Sequence, residues 1–128
     1  MTMRSLVAAA LAVMVGTTAA QAAFYRCDVT EKWNCSPGRA CMENKVTITH
    51  FIDTDQKFYY RCDQKGCDKH AAEIEASGMF LNITPGPGKG MIAKMSLLPK
   101  MPVFHETATI MTHALISYGT CQETQRPN

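Results

Sequence analysis

From residue 45 onward the chain alternates apolar and polar positions with a period of two, the spacing that puts successive side chains on opposite faces of a strand. Val46-Thr47-Ile48-Thr49-His50-Phe51-Ile52 is rich in β-branched residues and predicts a strand. Asp53-Thr54-Asp55-Gln56 is a polar turn, and Lys57-Phe58-Tyr59-Tyr60-Arg61 returns as the second strand of a hairpin. Met79 to Thr84 and Met91 to Leu97 predict two further strands, separated by the loop Pro85-Gly86-Pro87-Gly88-Lys89-Gly90. Pro99 and Pro102 bracket another turn. Val103 to Cys121 is long and β-prone, and reads as two strands or as one strand bent near Thr112-His113.

Asp68 to Ser77 fits two templates. As a helix it has Asp68 as N-cap and Gly78 just past the end. As a strand it turns Ala72, Ile74 and Ala76 inward and Glu73 and Glu75 outward. Ten isolated residues make a marginal helix, so the strand is the better reading. Ala23 to Asn44 has little periodicity. It is expected to be a Cys-rich segment packed on the β domain, with a short strand at Phe24 to Cys27. The fold class predicted is mainly β: an antiparallel meander of about six to eight strands, closing as a small barrel or folding as a sandwich, with at most one short helix.

Residues 1–22 break the pattern. Arg4 is followed by the uncharged apolar run Leu6 to Val15 and then by small residues. That run is half of the roughly 20 residues a membrane-spanning helix needs, and Ala20-Gln21-Ala22 offers small side chains at −3 and −1 for signal peptidase. The expectation is a signal peptide, 1–22, and one mature domain, 23–128, exported to the periplasm or beyond. The residues before Cys27, Phe24-Tyr25-Arg26, are no lipid-attachment signal, so no membrane anchor is expected after cleavage.

Export changes the meaning of the six cysteines, which read as a disulfide framework. Six cysteines can pair in several ways, and loop geometry favours one set. Cys35 and Cys41 enclose a turn containing Pro37-Gly38, Cys62 and Cys67 enclose Asp63-Gln64-Lys65-Gly66, and Cys27 is left with Cys121. None of the spacings is the C-x2-C knuckle of a zinc site. The net charge is +2, the signs are mixed along the chain, and no basic block points to nucleic acid.

Candidate chemistry is sparse. His105 and Glu106 are adjacent, so on a strand they face opposite ways and read as surface residues. Cys67 and His70 suggest a thiolate–imidazole pair, but a disulfide sulfur is no nucleophile. Glu73, Glu75 and Glu106 show no spacing that favours a carboxylate pair. The loop at 86–90 lacks the Ser or Thr after Lys89 that a phosphate loop requires. His105, Met111 and His113 would share one face of an unbroken strand, a ligand set suited to copper. Lys89, at the tip of its loop, is placed to probe a partner.

Tyr25-Arg26-Cys27, Ser77-Gly78-Met79-Phe80 and Cys121 resemble the pattern of the small periplasmic inhibitors of c-type lysozyme: an aromatic-x-Cys near the mature N-terminus, a Ser-Gly-x-aromatic motif and a late Cys. The resemblance implies an exported β-barrel whose last Cys closes on its first. It also implies that Ser77 and Lys89 reach into an enzyme's acidic cleft. The chain departs from that pattern in having four additional cysteines and the Cys-rich stretch Cys27 to Cys41. The expected function is therefore a non-enzymatic binding protein without cofactor, for an unknown protein or small ligand. Inhibition of a cell-wall hydrolase and periplasmic copper binding are the alternatives.

Overall fold

A computed structural model describes residues 23–86, 90–98 and 103–127; the expected signal segment 1–22 lies outside them. The described residues form nine strands: β1 Phe24–Cys35, β2 Met42–Glu43, β3 Thr49–Asp53, β4 Phe58–Asp63, β5 Gly66–Ser77, β6 Phe80–Pro85, β7 Met91–Ser96, β8 Val103–Ile110 and β9 His113–Thr124. All pairings are antiparallel. β1 bonds β3 along Phe24–Asp28 and β9 along its whole length, so eight strands close into a barrel. β2 is an additional strand that pairs with β1 beyond the reach of β3. Closure removes the free edges that an open meander would expose. There is no helix among the described residues, and 68–77 belongs to β5.

β1 runs well past Cys27, where a short strand was expected. The reason is a β-bulge: the register with β9 shifts between Val29 and Glu31. Before it, Cys27 faces inward; after it, Lys32 does, so the inward phase switches from odd to even numbers and the period-two signal cancels. The two backbones crowd at this point. A Cβ on Gly119 would stand 2.2 Å from the carbonyl oxygen of Asp28, so only glycine fits opposite the bulge.

Three disulfides link Cys27 to Cys121, Cys35 to Cys41 and Cys62 to Cys67. Cys27 and Cys121 are register partners on the first and last strands, so their bond locks the barrel seam. Cys62 and Cys67 are partners across the β4–β5 hairpin.

The inward side chains include Ile52, Tyr59, Ile74, Ile83, Met95 and Phe104, all buried, around the Cys27–Cys121 bridge. Burial of each large apolar side chain contributes roughly 1.5–3 kcal/mol. One barrel end carries the Cys35–Cys41 loop and the turns after β4 and β8. The opposite end carries both termini of the barrel and the turns after β3 and β5. In the turn after β5, Gly78 at φ 59° takes the first central position, which suits a two-residue hairpin.

Candidate functional site

The residues singled out in the sequence are dispersed. Ser77 is exposed and pairs with Phe80 across the β5–β6 turn. Lys89 lies outside the described residues; Gly86 and Gly90, which flank it, sit at the other end of β6 from Ser77. The copper set is divided by a hairpin. β8 ends at Ile110, Met111 and Thr112 form the turn, and even-numbered residues of β8 oppose odd-numbered residues of β9. His105 is therefore on the outer face, stacked on Tyr118 at 5.1 Å, while His113 is in the inward phase at the rim and shares a 2.6 Å hydrogen bond with Ser36. Met111 is 92% exposed at the turn. Glu73 and Glu75 are exposed on β5, and Cys67 is oxidised. Glu106 is not the surface residue expected: it points into the barrel and is buried.

Two arrangements emerge from the fold instead. The first is a groove on the outer wall. In ladder order, Phe51 on β3, Tyr60 on β4 and Lys69 on β5 are neighbours on the outer face. Phe24 stacks on Phe51, with ring centroids 5.7 Å apart and planes 20° from parallel. Phe24, Phe51 and Tyr60, with the Cys62–Cys67 bridge, Gln56, Arg126 and Pro127, line an open groove of about 460 Å³ that is mainly apolar. This lies within the range of roughly 300–1,000 Å³ typical of small-molecule sites.

One wall of the groove is the segment after β9, held there by charge. The Arg126 guanidinium donates to both oxygens of Asp53 at 2.8 and 2.7 Å, and Asp55 lies 3.7 Å away. Asp53 also accepts from the backbone N–H groups of Asp55 and Gln56, which shapes the turn after β3. Burial alone would raise the Asp53 pKa. The bonds from Arg126, Gln56 and Asp55 outweigh it and hold the carboxyl below its ordinary range. The guanidinium charge is thus balanced, and the groove offers apolar surface more than charge. Lys69 lies at its border, with its ammonium 3.8 Å from the centre of the Phe58 ring.

No protein-family model matches the chain. No curated protein matches it in sequence.

The second arrangement is inside the barrel. The His50 ring lies between Tyr59, stacked at 5.2 Å, and Phe104, at 4.9 Å. Tyr59 donates its hydroxyl to Glu106, and His50 Nε2 lies 3.5 Å from the same carboxylate. Lys32, Ser117 and Glu106 are successive neighbours across β1, β9 and β8, all inward and all buried. Burial pushes the His50 pKa down to about 4 against the opposing pull of Glu106, and the charges of Arg61 and Lys32 add to the fall. Burial likewise lowers the Lys32 pKa, with Arg61 acting in the same direction and Glu106 against it. Burial and then the Glu106 charge raise Tyr59 well above the usual phenol range.

The sequence carried a trace of both arrangements. Phe58-Tyr59-Tyr60 places aromatic rings on both faces of one strand, which marks the outer face as apolar. His50 is in phase with the core residues Ile48 and Ile52. The partners that complete each site lie 47 to 73 residues away from these signals and had no local cue.

Proposed function

We propose that this protein is an exported, non-enzymatic binding protein that holds a small, predominantly apolar ligand in the outer groove between Phe24, Phe51, Tyr60 and the Arg126 segment. The observation that carries the reading is the groove itself: an open space of about 460 Å³ walled by aromatic rings, a disulfide and a tethered chain segment. Rigid walls limit the ordering cost of binding. Export is supported by the signal-like N-terminal residues and by the three disulfides. A non-enzymatic role is supported by where the acid–base side chains sit: His50 and Glu106 are buried inside the barrel, among residues that do not line the groove.

The test is titration of the oxidised protein with the uncharged fluorescent probe N-phenyl-1-naphthylamine. The expected result is saturable one-site binding that weakens at least about tenfold in Phe51→Ala, the scale of losing one buried aromatic contact. Absence of saturable binding refutes the proposal. So does unchanged affinity in both Phe51→Ala and Tyr60→Ala.

A further inference from the structure

The inner polar cluster holds several polar groups without partners. Lys32 is 4% exposed, yet no carboxylate oxygen of the described residues lies within 4.0 Å of its ammonium. Beside it, Ser117 is fully buried and its Oγ has no hydrogen-bond partner among the described residues. Asn34, two residues along β1 on the same inward face, has its buried Oδ1 unpaired as well. Both ring nitrogens of His50 also lack a hydrogen-bond partner, and His50 is the register partner of Arg61. Arg61 makes a long contact of 3.6 Å with Asp63 at the rim. The cluster's buried carboxylate, Glu106, is already engaged by Tyr59.

An ammonium on a buried side chain with no carboxylate in bonding range is costly, and so is an unpaired buried hydroxyl. A small ligand with several acceptor oxygens and a negative charge answers both needs. There is also a route to Lys32. Beyond the β-bulge the β1–β3 ladder has ended, leaving single backbone bonds from Val29 N–H to Ile48 O and from Asn44 N–H to Lys32 O, and a polar cleft of about 250 Å³ lies there between residues 29–32 and 43–47. We propose that the barrel interior on the Cys35–Cys41 side holds a small oxyanion against Lys32 and Ser117, with Arg61 completing the set of donors. This site is separate from the outer groove and does not depend on it.

The probe is inorganic phosphate, titrated into the oxidised protein at constant ionic strength and followed by amide chemical shifts. Saturable shifts centred on Lys32, Asn34, Arg61 and Ser117 are expected. Lys32→Met should weaken binding roughly 10- to 100-fold, the value of a charge-assisted hydrogen bond. Replacing a buried charge by an apolar side chain of similar length is commonly tolerated by the fold. If Lys32→Met does not fold, Ser117→Ala takes its place, with a loss of several-fold expected. Phosphate binding that never saturates, shifts centred elsewhere, or full affinity in whichever of these variants folds overturns the proposal. Binding of the apolar probe in the outer groove should be the same with and without phosphate, so each site is judged by its own readout.

Discussion

His50 makes the protein's stability fall as pH drops through the range in which an ordinary histidine titrates. The ring is completely buried, and burial holds its pKa at about 4 against an ordinary value of 6.5. In the unfolded chain it takes up a proton near pH 6.5; in the barrel it does so only near pH 4. Between these values the unfolded state binds more protons, so stability rises with pH and is lost on acidification. The gap corresponds to about 3 kcal/mol in total, of which about 2 kcal/mol is gone by about pH 5. That is a large share of a small domain's stability. The matched control is His50→Phe, which keeps a flat ring between Tyr59 and Phe104 and removes both nitrogens. Urea unfolding of the two proteins, with disulfides intact, should be compared at steps between about pH 7.5 and pH 4.5. The wild type should lose about 1.4 kcal/mol per pH unit relative to His50→Phe below about pH 6.5. Parallel curves would refute the reasoning. So would a relative gain by the wild type on acidification, since that would mean the imidazolium is stabilised by Glu106 more than burial disfavours it.

Two further predictions concern the seam of the barrel. Gly119→Ala should destabilise the protein by about 1–3 kcal/mol, because the added carbon meets the Asp28 carbonyl and one backbone must move; a change in the urea midpoint measures this, and an unchanged midpoint contradicts it. Replacing Cys27 and Cys121 together by Ala should cost roughly 4–5 kcal/mol, the chain-entropy value for a bridge spanning 94 residues. Removing the Cys62–Cys67 bridge, which spans 5, should cost visibly less. Equal losses in thermal unfolding would show that loop length is not the controlling factor.

The strands from β3 onward were legible because each carries its own alternation and is bounded by turn residues; β5 lay within that pattern and needed only the choice against a short helix. β1 was not legible past Cys27, because the bulge at Val29–Glu31 inverts its phase and puts a lysine where an apolar residue is expected. The grouping of His105 with His113 failed for a similar reason. Parity relates residues only along one strand, and the two-residue turn at Met111–Thr112 exchanges odd for even. Glu106 was misplaced because a carboxylate in a β-prone run defaults to the surface; its burial depends on Tyr59, 47 residues earlier. The groove depends on Arg126 returning to Asp53 across 73 residues, a pairing to which no local pattern points.

The seam also sets an order of events for a chain made from its N-terminus. β1 and β9, the first and last staves, are each other's most extensive partners. A chain emerging from a ribosome or a translocation channel therefore holds its opening strand without its main neighbour until the final residues appear. Circular closure has to wait for the whole polypeptide, and long-range pairing of this kind is slow. During that interval Cys27 is an unpaired thiol with four others made before Cys121, namely Cys35, Cys41, Cys62 and Cys67, any of which it meets first. The geometry that makes the finished barrel seamless thus makes its assembly sensitive to premature oxidation and dependent on disulfide exchange to reach the final pairing.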